Sequence, residues 1–332
     1  TWDQHFRTPV SGQEQARSIW QRAEEISYQK SLLGRLTAPP ANAAAATPAA
    51  QVAFCIDVRS EVFRRHLEAQ SAAIQTVGFA GFFGLPISYT PLGTAATRPQ
   101  LPGLLAPALD ITDSAGNELI DRDIASERNQ KLQGILGWRV FQAVPLSAFT
   151  LVEALGLAYL GKLVKRSFKT TQAMPAGNAL GLSASSAGAL RPGIGHDAAG
   201  GVTGQADLAQ QVLTGMGLTS GMAPLVLLLG HGSQTRNNPL RAGLDCGACC
   251  GQTGEVNARA LAGLLNNPLV RTQLRDRGIE IPAATRFVAG LHNTTTDEVL
   301  LYDIEGLPPS QREALALITT RLAAAGHTAR CE

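Results

Sequence analysis

Short apolar runs of strand length alternate along much of this chain with segments whose apolar positions recur at helical spacing. "VAFCI" (52–56) is one such run. Polar residues 57–60 follow it, and "EVFRRHLEAQ" (61–70) then carries Val62, Phe63 and Leu67 at helical spacing. "AIQTVGFAGFFG" (73–84) supplies a second strand with a Gly-rich approach, and "APLVLLLG" (223–230) a third that stops at His231. "VNARALAGLL" (256–265) predicts a helix after a long loop. "TRFVAGLHN" (285–293) and "EVLLYDI" (298–304) read as strands on either side of a polar turn, with a last helix near 309–325. Continuous apolar strands alternating with helices imply an α/β fold, a mainly parallel sheet flanked by helices on both faces. In such sheets ligands collect at the carboxyl ends of the strands.

Other segments interrupt this scheme. Residues 1–36 carry Trp2, Phe6, Ile19, Trp20, Ile26 and Leu32 among polar residues, the pattern of one or two amphipathic helices, and "TAPPANAAAATPAAQ" (37–51) reads as linker. The expected organisation is therefore a helical N-terminal segment and linker over 1–50 and a main domain over 51–332, with insertions at about 85–137 and 138–222. Within the second insertion, the Gly/Ala/Ser-rich stretch 170–205 is expected to be loop. "AVPLSAFTLVEALGLAYLG" (143–161) contains Pro145, Glu153 and Gly156, and a span needs about 20 clearly apolar residues, so a buried helix is expected there. Lys162, Lys165, Arg166 and Lys169 follow directly, and an apolar helix with a basic end also suits docking to a membrane or a membrane-embedded partner.

Composition narrows the chemistry. Only 16% of residues are charged and the net charge is +2, which argues against nucleic acid or another polyanion as partner. Five cysteines, three of them clustered at Cys246, Cys249 and Cys250, fit thiol or metal chemistry in a reducing compartment better than a disulfide framework. The start of the chain lacks the pattern of a signal peptide, and a cytoplasmic setting is the expectation.

Cys55, Asp57 and Arg59 alternate in "AFCIDVRSE" (53–61) at the end of an apolar run. On an extended chain they share a face, and Arg59 can hold the carboxylate through a bidentate pair. By itself the stretch reads better as a buried thiol beside an ordinary ion pair. The loop "GHGSQTRNNPLRAGLDCGACCG" changes its meaning, because His231 ends another strand and Cys246 follows through a polar, Gly-rich segment. Cys55, His231 and Cys246 make a Cys2His set of zinc ligands with one position open, as a catalytic zinc requires. Glycines at 230, 232, 243 and 247 would let the backbone bend closely around a metal. A redox C-x-x-C at Cys246 and Cys249, a closed structural zinc using Cys246, Cys249 or Cys250 with His231, and a simply satisfied His231 remain alternatives. His292 ends a further strand and with Asp297 can relay protons or orient a ligand; a turn held by Asn293 and Thr294 to Thr296 accounts for it equally well.

Taken together, "CIDVRSE", "HGSQTRNNPLRAGLDCGACCG" and "HNTTTDE" resemble the DabA family of inorganic carbon transporter subunits, over roughly residues 50–305. The first half of the β-carbonic anhydrase pattern, C-x-D-x-R, is matched by Cys55, Asp57 and Arg59. His231 and Cys246 match its second half in type, but the fourteen residues between them depart from the soluble enzymes. The resemblance implies a β-carbonic-anhydrase-like core and zinc held by Cys55, His231 and Cys246, with Asp57 able to take the fourth position unless Arg59 draws it away. It implies CO2 hydration to bicarbonate, since zinc lowers the pKa of its bound water to about 7. It further implies a peripheral subunit at the cytoplasmic face of the membrane, working with a membrane-embedded, proton-translocating, antiporter-like (DabB-like) subunit. A free-standing zinc carbonic anhydrase or hydrolase, and a non-catalytic zinc-stabilised scaffold for a membrane protein, are the alternatives.

Overall fold

The computed structural model describes residues 11–37, 48–167, 177–195, 198–235 and 238–332. The chain divides into two compact units, Thr1–Ala46 and Thr47–Glu332. In the first, α1 (Gly12–Leu36) begins at a reciprocal cap: Ser11 Oγ accepts from the Glu14 amide and the Glu14 carboxylate accepts from the Ser11 amide. No residue of α1 is buried, so its apolar side chains, Trp20 among them, face outward. Most of the expected linker (38–47) and His5 lie outside the described residues.

In the second unit β1 (Ala50–Cys55), α2 (Val58–Gln70) and β2 (Ile74–Phe79) come first, followed by β3 (Ile87–Thr90), β4 (Arg98–Gln100) and β5 (Leu109–Ser114). Two long helices follow, α3 (Glu118–Ala143) and α4 (Pro145–Ser167), and then α5 (Ala184–Ala189), β6 (Arg191–Gly193) and α6 (Gly201–Met216). The chain closes with β7 (Leu225–Gly232), α7 (Glu255–Asn266), α8 (Pro268–Asp276), β8 (Arg286–Asn293), β9 (Glu298–Leu301) and α9 (Pro309–Ala329).

The main sheet has the order β2-β1-β7-β8-β9. Its first four strands are parallel and β9 runs antiparallel to β8. Every residue of β1 and β7 is buried because helices cover both faces. On one face Ala53, Val226, Leu228 and Phe287 pack against α6, α7 and α8; on the other Val52, Phe54, Leu227 and Leu229 meet Phe63 and Leu67 of α2 and Ile318 and Leu322 of α9. From β1 the chain steps to β2 on one side, and later to β7 on the other. The order therefore reverses between β1 and β7, the kind of switch point where two diverging connections leave a crevice.

The first insertion is more than turns and charge. Together with β6 it builds a second sheet of order β4-β3-β5-β6, whose strand β5 alternates Leu109 and Ile111 inward with Asp110 and Thr112 outward. Arg128 of α3 is buried beside this sheet, donating to the carbonyls of Leu92, Asn178 and Leu180. The stretch expected as loop over 170–205 contains α5, β6 and the start of α6, while residues 168–176 and 196–197, His196 included, lie outside the described residues.

The helix expected to be buried over 143–161 is not. Leu146, Phe149 and Val152 of α4 are 85%, 72% and 70% exposed. Apolar length requires cover of some kind but does not say whether the chain itself supplies it. Here the first part of α4 leaves α3 at a bend of 94°, and Gln142 Nε2 donates to Tyr159 Oη at 3.1 Å. No single helix among the described residues is long and apolar enough to cross a membrane.

Candidate metal centre

Cys55 is the last residue of β1 and His231 the last but one of β7, so the switch point holds a thiol and an imidazole at neighbouring strand ends. Cys246 is brought to them by the loop after β7. Ser233 donates to Asp245 Oδ1 through both its amide (2.9 Å) and its hydroxyl (3.0 Å), and Arg59 Nη1 donates to the Leu244 carbonyl at 2.8 Å. Beyond Cys246 the chain doubles back, with Cys246 bridged to Gln252 and left-handed backbone at Cys250 and Gly251. Cys55, His231 and Cys246 are all buried, and their ligand atoms lie within 4.8 Å of one another.

This donor set fits a tetrahedral metal. Two sulfurs each about 2.3 Å from a zinc ion stand about 3.8 Å apart, and the Cys55 and Cys246 sulfurs are separated by 3.8 Å. His231 is 1% exposed, yet neither ring nitrogen has a hydrogen-bond partner. A buried polar group left so costs about 1–3 kcal/mol, an expense that ligation removes. The thiols are unequal. Hydrogen bonds from Cys249 and from Cys55 push Cys246 well down toward thiolate, while its bond to Cys246, together with burial, pushes Cys55 up. Gly81 closes the other side: a Cβ there would lie 2.4 Å from the Cys246 sulfur and 2.5 Å from that of Cys55.

Asp57 and Arg59 meet by a different route from strand alternation. The strand ends at Cys55, and Asp57 becomes the N-cap of α2, its Oδ1 accepting from the Arg59 amide at 2.9 Å. Arg59, in the first helical turn, forks onto the same carboxylate through Nε (2.8 Å) and Nη2 (2.9 Å). The fork holds Asp57 below the usual carboxylate range, chiefly through these side-chain hydrogen bonds. Asp57 Oδ2 also stands 3.5 Å from His231 Nε2, so the carboxylate sits on the arginine at the edge of the three-ligand set.

His292 pairs in register with His231 on the next strand and is fully buried. Its Nδ1 is 3.2 Å from Ser60 Oγ on α2, its Nε2 is 3.0 Å from Asp297 Oδ1, and its ring packs on Phe63 at 4.5 Å. Asp297 closes the turn after β8, with a left-handed φ of 53° and its amide donating to the Asn293 carbonyl. Turn and histidine pair are thus both present.

Several parts of the site were absent from the sequence reading. Gly81, Ser60 and the Asp245–Ser233 clamp carry no motif of their own, and neither does Asn257, whose Nδ2 donates to the carbonyls of Phe82, Leu85 and Gln100 behind the thiols. Gly230 is required for a different reason than a metal: its Cβ would fall 2.5 Å from the Gly254 carbonyl oxygen. Gly243 and Gly247 have open space around them and no special backbone.

The family described as "Probable inorganic carbon transporter subunit DabA" matches residues 3–332. The chain belongs to the DabA family. Relatives carrying that description include one from Vibrio cholerae serotype O1 (strain M66-2), 50% identical over 315 residues, which cover 95% of this chain and 36% of the relative. One from Ectopseudomonas mendocina is 49% identical over 324 residues, covering 98% of this chain and 39% of the relative, and one from Paracidovorax citrulli is 50% identical over 315, covering 95% and 37%. The chain thus spans well under half the length of these DabA relatives. No solved structure matches it.

Proposed function

We propose that this chain is the zinc-bearing, carbonic-anhydrase-like part of a peripheral subunit that hydrates CO2 to bicarbonate within an energy-coupled inorganic carbon uptake complex. The observation that carries the reading is His231, buried with neither ring nitrogen hydrogen-bonded, beside two converging thiols and an arginine-held carboxylate 3.5 Å from its Nε2. Its relatives' description as probable carbon transporter subunits supports the transport role. Cys55, His231 and Cys246 would hold zinc, which when bound supplies an acidified water as nucleophile.

The chain's own residues then have separate tasks. Arg59 keeps Asp57 ionised and draws it away from the three ligand side chains; release of Asp57 from Arg59 would let the carboxylate act as a further ligand. On the arginine, Asp57 is an acceptor that orients the attacking water. Each hydration releases one proton, and His292, joined to Ser60 on one nitrogen and to partly exposed Asp297 on the other, is built to pass it on or to hold α2 in place. The partner in this reading is a membrane-embedded, proton-translocating subunit of the DabB kind at the cytoplasmic face, which supplies the energy coupling.

The test uses the full-length protein with its membrane partner. Cys55→Ala and His231→Ala are expected to lose both zinc and carbon uptake, while Asp57→Ala keeps zinc and loses uptake. A zinc-free protein with full uptake would end the reading. Zinc retained with undiminished uptake in Asp57→Ala would instead favour a structural zinc, to which buried Cys249 beside Cys246 offers a further thiol.

A further inference from the structure

A half-buried arginine of the second sheet reaches into the loop that carries Cys246. Arg98 of β4 donates through Nη1 to Gln252 Oε1 at 3.0 Å, and the Gln252 carbonyl in turn accepts from the Cys246 amide at 3.0 Å. β4 also lies against the turn Gly247–Cys249 that follows Cys246. Arg98 Nη2 donates to Asn178 Oδ1 at 2.7 Å, and the guanidinium sits over the Tyr89 ring, 5.6 Å from its centroid. Tyr89 is itself fixed, its hydroxyl donating to Asp113 Oδ2 at 2.6 Å.

Asn178 carries the connection further. Its carbonyl accepts from Nη2 of buried Arg128 at 2.7 Å, and Arg128 belongs to α3. A continuous series of contacts therefore runs from α3 through Arg128, Asn178, Arg98 and Gln252 to Cys246. Neither arginine forms an ion pair among the described residues. Arg128 donates to three carbonyls, and Arg98 gives its terminal nitrogens to two amide oxygens while its Nε is buried with no partner. A guanidinium kept from water without a counter-charge, and with one donor idle, is costly to stability. What the planar fork of Arg98 supplies is geometry, since it fixes two partners at a set spacing and angle. One partner is on the metal loop, and the other is on the segment that α3 holds.

We propose that Arg98 is a positioning residue for Cys246, and that the path from Arg128 through Asn178, Arg98 and Gln252 couples α3 to the candidate metal centre. Its functional meaning rests on the zinc reading above. The contacts do not, so the test uses metal-free protein.

Contiguity alone is not coupling, and hydrogen exchange of the full chain, resolved on peptides by mass spectrometry, measures it. The amides of Cys246, Cys249, Cys250, Gly251 and Gln252 are all bonded within the loop. Arg98→Ala and Gln252→Leu should each speed exchange over 246–252 at least about tenfold, the loss of one charge-assisted hydrogen bond, while β1 stays slow. Gln252→Glu keeps an acceptor for Arg98 and should keep the slow rate. The double variant should exchange no faster than the faster single one. Asn178→Ala, which cuts the link toward α3, should speed the same peptide.

Four results would overturn the proposal: an unchanged loop rate in Arg98→Ala and Gln252→Leu, equal acceleration of β1 and the loop, additive effects in the double variant, or an unchanged loop rate in Asn178→Ala. A native protein that holds no zinc would end the zinc reading and leave these rates as they are, so the two failures are distinguishable.

Discussion

Replacing Gly81 by alanine adds one methyl group between the two sulfurs of the candidate metal centre. Its carbon would sit 2.4 Å from the Cys246 sulfur and 2.5 Å from the Cys55 sulfur, where carbon contacts ordinarily begin at about 3.5 Å. Something must therefore move by about 1 Å, twice the tolerance of roughly 0.5 Å within which a preorganised site holds its groups. Neither thiol has slack: Cys55 ends a fully buried strand, and Cys246 is tied by the Asp245–Ser233 clamp and the bridge to Gln252. Overpacking of this kind costs about 1–3 kcal/mol. Borne by the metal-bound state, that lowers zinc affinity by about ten- to a hundredfold, at 1.4 kcal/mol per tenfold. Competition with a chromogenic chelator measures the affinity, and far-ultraviolet circular dichroism checks the fold. Gly103→Ala is the control, since its methyl would meet nothing within 4 Å. Unchanged zinc affinity in Gly81→Ala would refute the argument, because two thiols pushed apart by 1 Å cannot both keep their place on one ion.

Other changes probe the supports of the site. Asn257→Ala removes the donor shared by three carbonyls behind the thiols and is expected to lower unfolding free energy by about 2–3 kcal/mol, read from urea denaturation; a loss within about 0.5 kcal/mol would show the carbonyls satisfied otherwise. Asp245→Ala leaves the buried Ser233 amide and hydroxyl without their acceptor and releases the loop that carries Cys246, so it should lower zinc content and also lower unfolding free energy by about 1–3 kcal/mol. The Asp57–Arg59 pair should show in acid. Asp57 is held below its unfolded value by Arg59, so the pair's contribution is complete above about pH 4 and is lost as pH falls through the lowered value. The stability difference between the unaltered chain and Arg59→Ala should accordingly shrink in strong acid, and a difference constant with pH would sink this account.

Much of the main sheet was legible because its strands are buried on both faces. Such strands must be apolar throughout, and β1, β7 and β8 announce themselves as runs that no surface segment would carry. The second sheet escaped notice because β4 and β6 are three residues each and include Pro99 and Pro192, too short and too interrupted for any periodicity to register. Helix α4 was misjudged for a different reason: an apolar sequence states that cover is needed, and water, lipid or protein is decided by what surrounds it.

The same division runs through the site. Residue types and positions nominated Cys55, His231 and Cys246 as one of several possible ligand sets, and the resemblance to the DabA family joined Asp57 and Arg59 to it. Their distances were another matter. Cys55 and Cys246 stand 191 residues apart in the chain and 3.8 Å apart in space, and it takes both the parallel pairing of β1 with β7 and the clamped loop after β7 to bring that about. That Asp57 and Arg59 meet as a helix cap rather than along a strand, and that both His231 ring nitrogens are buried without a hydrogen bond, were likewise decided by tertiary structure. Ligand chemistry is a property of side chains and travels with the sequence; convergence and the exclusion of water are properties of packing, and arise only when the sheet has closed around them.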